Sequence, residues 1–389
     1  MKATSARPSF ALASLAASAL LVLFGCGSGP GSGGSTTGPQ STTRFLLVAD
    51  SYDQRVLIFD APFSTNQSAS VVLGQADFTS HVHEVTANGL RFPEKAIADA
   101  DGNVWVSDTV NNRVLQYAKP FTNGMAASLV LGHPDFTTSG PSISPDSLHD
   151  PYGMGFDKDG NLWVVDGTNN RVVEFAPPFG NGMAATLVLG QTSLVTRDTA
   201  TSISGLNNPV ELAFDASGDL WLVDRGNNRV LEYKPPFVSG QPASVVLGQQ
   251  HFTSSLSATT STGLAGPAGI AIDGSGSVWV SDYRNDRILR FAAPIFSGQA
   301  ADLVLGQPNF TTNAASGDGQ IDVPSPEGLA FDTSGNLFVA EESNRVVIFA
   351  PPFRTYMKAT IVIGQSDFNS SQSNGTAMSL GLPESVSTF

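Results

Sequence analysis

Six copies of one pattern, spaced 58 residues apart, leave very few folds open to this chain. Arg55, Arg113, Arg171, Arg229, Arg287 and Arg345 hold the period, and so do the glycines Gly74, Gly132, Gly190, Gly248, Gly306 and Gly364. The aromatics Phe59, Tyr117, Phe175, Tyr233, Phe291 and Phe349 follow it as well. A fixed period of this size marks an array of like supersecondary units, each burying its apolar faces only against its neighbours.

The copy from Pro151 to Gly190 shows what the unit is. Gly153 to Asp157, Leu162 to Asp166, Arg171 to Phe175 and Thr186 to Gly190 are short runs rich in β-branched, aromatic and Leu residues, which predicts four strands. Asp157-Lys158-Asp159-Gly160-Asn161 predicts a tight turn with positive φ at its glycine, and Gly167-Thr168-Asn169-Asn170 a second turn of the same kind. Pro177-Pro178 interrupts pairing before the fourth strand. With 39 Gly, 24 Pro and only 14% charged residues, the composition suits a turn-rich β protein with very little helix.

Four antiparallel strands repeated radially make a blade of a β-propeller, and strands apolar on both faces fit blades held between neighbours. The expected fold class is all-β, a six-bladed propeller. Trp105, Trp163, Trp221 and Trp279, with Leu47 and Phe338 in the matching slots, are expected as core between blades. The first copy begins near Arg44 directly in its second strand, and Leu380 to Val386 matches the stretch Leu148 to Met154 that leads into a first strand. The C-terminus is therefore expected to complete blade 1 and close the ring. Blade 1 is then 44–79 plus 380–389, followed by blades at 90–138, 148–196, 206–254, 264–312 and 323–370.

At this point the pattern resembles the NHL repeat. Pro267-Ala268-Gly269-Ile270-Ala271-Ile272-Asp273 and Asp282-Tyr283-Arg284-Asn285-Asp286-Arg287-Ile288 carry the likeness, which extends over residues 44–389. The resemblance implies the propeller fold and is poorly specific for activity. Related lyases place metal-binding His residues around the central cavity, and lactonase-like propellers use Glu, Asn and Asp there. The predicted inner strands of this chain carry no His, and His149 lies only near one entrance.

Residues 1–25 read as a secretory signal, with Lys2 and Arg7 ahead of the apolar stretch Phe10 to Phe24. Leu23-Phe24-Gly25-Cys26 resembles a bacterial lipobox, which implies lipidation of the sole cysteine, Cys26, and anchoring to the cell envelope. Gly27 after the cysteine implies the outer membrane in a Gram-negative source. Residues 26–43, mostly Gly, Ser and Thr, are expected to form a flexible tether with a reach of about 20 Å. Removing the signal takes Lys2 and Arg7 from the 20 bases and none of the 34 acids, leaving 18 bases and a net charge of about −16. Such a field repels phosphate backbones, so no nucleic-acid partner is expected. The expected partners are the membrane and a protein, peptide or glycan ligand, with the chain itself a monomer.

No catalytic signature stands out. The recurring Asp166 and Arg171 type pair is read as turn support, because sixfold repetition does not suit an asymmetric reaction site. Asp99-Ala100-Asp101-Gly102-Asn103 and Asp157 to Asn161 look like openings of calcium loops but lack the rest of that pattern, so hairpin turns are expected. His81 and His83 in one connector, with His149 in the next, are weak metal candidates.

Departures from the repeat are more informative. After the leading Pro the copies read Glu94, Tyr152, Val210, Ala268, Glu327 and Glu384, then Lys95, Gly153, Glu211, Gly269, Gly328 and Ser385. Glu327, Glu384 and Glu94 belong to blades 6, 1 and 2, adjacent once the ring closes. They are expected to converge at one mouth of the channel together with Lys95, Glu211 and Tyr152, with Lys95 as counter-charge. Such a cluster could hold Ca²⁺ or another divalent cation, or a cationic ligand group; separated, hydrated glutamates with Lys95 pairing one of them are the alternative. The connectors between blades are long, Ser/Thr/Gly-rich and unalike, which makes their face the expected recognition surface. Two function classes follow: a non-catalytic binding or scaffolding module, or a metal-dependent lyase or lactone hydrolase at the mouth.

Overall fold

The structure, a computed structural model, describes residues 44–389. The signal, Cys26 and the tether lie outside the described residues. Twenty-four strands form six four-stranded antiparallel sheets, each a blade of one propeller. In blade 3 the strands are Pro151–Phe156, Leu162–Asp166, Arg171–Phe175 and Leu187–Leu189, close to the sequence expectation. Among the described residues no helix is long and apolar enough to cross a membrane.

The ring closes as the two chain ends require. Strand Pro383–Thr388 pairs antiparallel with Phe45–Asp50, setting Leu46 against Thr388 and Val48 against Val386, with a bulge near Asp50. The amides of Arg44 and Phe45 donate to the carbonyl of Phe389. The first blade thus has four strands like the other five, its inner edge strand supplied by the C-terminus.

The turns follow their residues with one difference. Gly102 and Gly160 take positive φ in the first turn (+80° and +82°), where an L side chain would be strained. Asp157 Oδ1 accepts the amides of Asp159 and Asn161, and its Oδ2 accepts Asn161 Nδ2 and Trp163 Nε1. The acidic turn is therefore filled by its own donors, as a hairpin needs. The second turn is instead a single 3₁₀ turn, Gly167–Asn169, and positive φ falls on Asn170 at +51°. Asn tolerates that conformation because its short amide bonds locally.

Six apolar clusters fill the six seams between blades. Trp105, Trp163 and Trp279 are fully buried and Trp221 nearly so. Trp163 meets Phe214 and Phe237 edge-on at 6.1 and 4.8 Å, and Trp105 and Trp279 make the same three-ring contact with the next blade. These rings are core.

The recurrent arginine is a clasp. Arg171 is fully buried; its Nε donates to Asp166 Oδ2 at 2.7 Å, its Nη1 to the carbonyl of Leu194, and its Nη2 to those of Ser144 and Ser147. One guanidinium thereby ties the connector before the blade to the one after it. Asp166 Oδ1 accepts the amide of His149, and the equivalent carboxylates in blades 1, 2, 4 and 5 accept those of Gly381, Arg91, Asn207 and Ala265. In blade 6 the matching position is Pro324, which has no amide hydrogen. Glu341 replaces the aspartate there, and its buried Oε1 has no hydrogen-bond partner.

Candidate functional site

The inner strands start at the face that carries the connectors, so the residues just after each leading Pro surround one mouth of the central channel. Glu94, Tyr152, Glu211, Glu327 and Glu384 line a single cavity of about 270 Å³ there. The convergence expected from sequence is thus present for those five residues. Lys95 takes a different place.

Lys95 is not the counter-charge of the glutamates. Its Nζ lies 2.6 Å from Glu211 Oε2, and both residues are buried, at 6% and 7% exposure. This pair joins blade 2 to blade 4 past blade 3, where Gly153 stands at the same register position. A Cβ at Gly153 would lie 2.3 Å from Glu211 Oε1, so the glycine is what lets the two ends meet. The pair forms a neutral floor, because each buried charge satisfies the other.

The glutamates above it are less well served. Glu327 is only 8% exposed, and its nearest cation is Arg225, whose Nη2 lies 3.7 Å from Oε1. That is an ion pair without a hydrogen bond. Glu94 and Glu384 are partly buried and have no cation within ion-pair distance among the described residues. Desolvation, then the charges of Glu384 and Glu327, push the Glu94 carboxyl well above its ordinary range. Burial and Glu384 do the same to Glu327, and burial raises Glu384 to about 7. The Tyr152 hydroxyl is pushed up to about 12, by burial first and by Glu94 next.

Asn208 and three further lining residues were missed by the sequence reading. Arg225, Tyr283 and Glu342 each follow the recurrent acid of the second turn, where blades 1, 2 and 3 have Ser51, Thr109 and Gly167. The guanidinium of Arg225 lies 4.6 Å from the centroid of the Tyr283 ring, and Tyr283 Oη donates to Glu342 Oε1 at 2.5 Å. On the opposite side Thr109 Oγ1 donates to the carbonyl of Pro151 at 2.6 Å. Gly167 makes room for Tyr152, whose Cδ2 would lie 2.3 Å from a Cβ there. The signal was available: the same comparison of copies, made one residue after the second-strand acid, separates large polar residues in blades 4 to 6 from small ones in blades 1 to 3.

The histidines do not join this site. The His83 ring lies 6.2 Å from that of Phe92, His81 sits beside Gly375, and His149 Nε2 is 3.7 Å from Asp150 Oδ2. Among the described residues no three His, Cys, Asp or Glu side chains are placed to hold a metal ion. Glu94, Glu327 and Glu384 share a cavity without closing into a ligand shell.

Fold and site together define a six-bladed β-propeller with an asymmetric, acidic axial cavity. Within it, residues 264–291 match the NHL repeat family model. The human NHL repeat-containing protein 3 is 24% identical over 131 residues, 33% of this chain and 34% of that protein. Mouse teneurin-3 is 28% identical over 279 residues, 62% of this chain and 10% of that protein. The chain thus spans about a third of the first relative's length and far less of the second's. Among solved structures, a Bacteroides caccae protein of unknown function superposes with a TM-score of 0.52 at 9% identity, covering 90% of this chain and 99% of that one. A putative 6-phosphogluconolactonase from Bacteroides uniformis gives 0.50 at 14%, covering 89% and 99%. Virginiamycin B lyase from Staphylococcus aureus gives 0.47 at 13%, covering 83% and 86%. At these identities the likeness is one of fold.

Proposed function

We propose that this propeller is a non-catalytic binding module whose ligand is anchored in the axial cavity and framed by the variable connectors of the same face. One observation carries the reading. Each recurrent acid is closed by its arginine, whereas Glu94 and Glu384 line the cavity with no cation within ion-pair distance among the described residues. Unpaired polar groups in a concave site held by a rigid scaffold are what a ligand can use. Export and lipid anchoring at Cys26 belong to the same proposal and rest on the sequence of residues 1–26.

A thermal-shift screen of small polar compounds tests it, run on the protein and on a variant carrying Glu94→Gln, Glu327→Gln and Glu384→Gln. Hits that stabilise the parent and not the variant support the module. A second reading, lyase or lactone-hydrolysing chemistry at the same mouth, is favoured by the Glu384 carboxyl near 7, a value suited to general acid–base work. Turnover of a lactone series that is lost in the triple variant would replace the binding reading by the catalytic one.

A further inference from the structure

We infer that a second site, in the seam between blades 1 and 2, binds a free aromatic amino acid whose indole-sized ring takes the place of one the repeat lacks there. The site is separate from the axial cavity. The strand that starts at Pro383, beside Glu384, runs away from the mouth and ends next to Phe389, which lines the second pocket. The second-strand slot holds Trp105, Trp163, Trp221, Trp279 and Phe338 in blades 2 to 6, but Leu47 in blade 1. Bulk is also lost across the seam, where Ala98 stands in the place of Phe156, Phe214 and Phe331 of blades 3, 4 and 6.

In the other seams three neighbours bound the indole. Phe179, Phe237 and Phe353 of the next blade lie 4.9, 4.8 and 4.8 Å from the rings of Trp105, Trp163 and Trp279. The cross-strand residue lies against the ring, as Arg290 does with its guanidinium 5.6 Å from that of Trp279. The acid after the inner strand, Asp157 for Trp163, accepts the indole Nε1. Counted in the same way, the matching residues around Leu47 are Phe121, Ile58 and Phe389. All three line one pocket of about 750 Å³, a size usual for small-molecule sites. The walls that elsewhere hold an indole are therefore present, while Leu47 itself is fully buried. Phe389 replaces the acid where there is no Nε1 hydrogen to accept, and its ring lies 5.0 Å from that of Phe45, a further lining residue.

The rim selects among aromatic ligands because it carries both signs. Arg44, Lys119, Asp60 and Asp101 line the same pocket and are exposed, and none of the four is in an ion pair among the described residues. A free amino acid holds an ammonium and a carboxylate on one carbon beside its ring, so it meets an acid and a base of the rim together. An aromatic anion would use the bases alone. An aliphatic chain has no ring to set edge-on against Phe121.

Isothermal titration of the protein with L-tryptophan, tryptamine, indole-3-propionate, N-acetyl-tryptophan amide and L-leucine tests the inference. Saturable binding of tryptophan is expected, with tryptamine and indole-3-propionate about two- to fivefold weaker for the loss of one charge, and leucine about tenfold weaker or more for the loss of the ring. Leu47→Trp rebuilds the repeat's own ring in the seam and should abolish binding with the melting temperature held or raised. Should that variant not fold, two exposed double variants still decide. Arg44→Ala with Lys119→Ala should weaken tryptophan about two- to fivefold and leave tryptamine unchanged, and Asp60→Ala with Asp101→Ala should do the reverse with indole-3-propionate unchanged. No tryptophan binding, equal affinity for leucine, or undiminished binding in a folded Leu47→Trp overturns the inference. N-acetyl-tryptophan amide binding as tightly as tryptophan would assign the pocket to a side chain of a polypeptide, and a dimer in sedimentation that Leu47→Trp dissolves would assign it to a second copy; either overturns the free amino acid as ligand. Loss of tryptophan binding in the Glu94, Glu327 and Glu384 triple variant would move the ligand to the axial cavity, and would likewise overturn the second site while leaving the binding module standing.

Discussion

The Asp–Arg clasps and the mouth of the channel are built from the same kinds of residue and have opposite characters. In the clasps, each buried arginine meets the recurrent carboxylate at 2.7 Å and carbonyls of the connectors, six times over, and Arg55 meets Asp53 as well at 3.0 Å. At the mouth, Glu94, Glu327, Glu342 and Glu384 crowd one cavity, and of these only Glu327 has a guanidinium within ion-pair distance, that of Arg225 at 3.7 Å. In blades 1 to 5 satisfaction goes with repetition and serves stability; incomplete satisfaction goes with asymmetry, at Glu341 of blade 6 and above all at the mouth, where it leaves chemistry for a ligand.

The largest test of that contrast concerns what holds both regions in place. Deleting residues 380–389 removes the inner strand of blade 1 together with Glu384 and Ser385. The melting temperature measured by circular dichroism should fall sharply, with loss of a single cooperative transition; an unchanged melt would break the closure. Arg171→Ala comes next. It leaves Asp166 buried and unpaired, so denaturant unfolding should show a loss of about 3–5 kcal/mol, and a loss below 1 kcal/mol would mean the clasp is not structural.

At the mouth the sign reverses. The folded-state pKa of Glu384, about 7, lies above its ordinary value of 4.5, so the folded protein holds a proton that the unfolded chain has released. Its destabilising effect sets in as pH rises above about 4.5 and is complete above about 7. Glu384→Gln is therefore expected to stabilise the protein at pH 8, by on the order of 1–3 kcal/mol, and to do nothing at pH 4. A destabilised Gln variant at pH 8 would place Glu384 among the clasps rather than against them.

The smallest effect joins the two regions. Burial raises Asp50 to about 7 in spite of Arg55, and Glu341 to about 7 in spite of Arg345. By the same sign, their contribution makes stability decline as pH rises, from about 3.8 for Asp50 and about 4.5 for Glu341, up to about 7. A melting series over that range should slope downward, and less so in Glu341→Gln, whose orphaned Oε1 belongs to the one clasp that lacks an amide donor. An unchanged slope in the variant would assign the decline to the mouth alone.

Much of this was legible before the fold. The period, the four strands of each blade, the tryptophan seams and the strand returning from the C-terminus all follow from residues repeated at fixed spacing. Glu94, Tyr152, Glu211, Glu327 and Glu384 were found as departures from that repeat. Arg225, Tyr283 and Glu342 were not, because they lie on a second loop whose approach to the axis depends on the blade's path. Lys95 was found with the wrong partner: its pairing with Glu211, 116 residues away, requires Gly153 to leave an opening in the blade between them.

What the chain determined alone is the set of local, periodic interactions, since turn glycines, alternating apolar residues and a recurrent Asp–Arg pair act the same way in every copy. What only the tertiary structure decided is which unlike residues from different blades face each other across the axis. Those distances depend on ring closure and on single glycines that open a path, and a charge's partner is set by the nearest group in space, not in sequence.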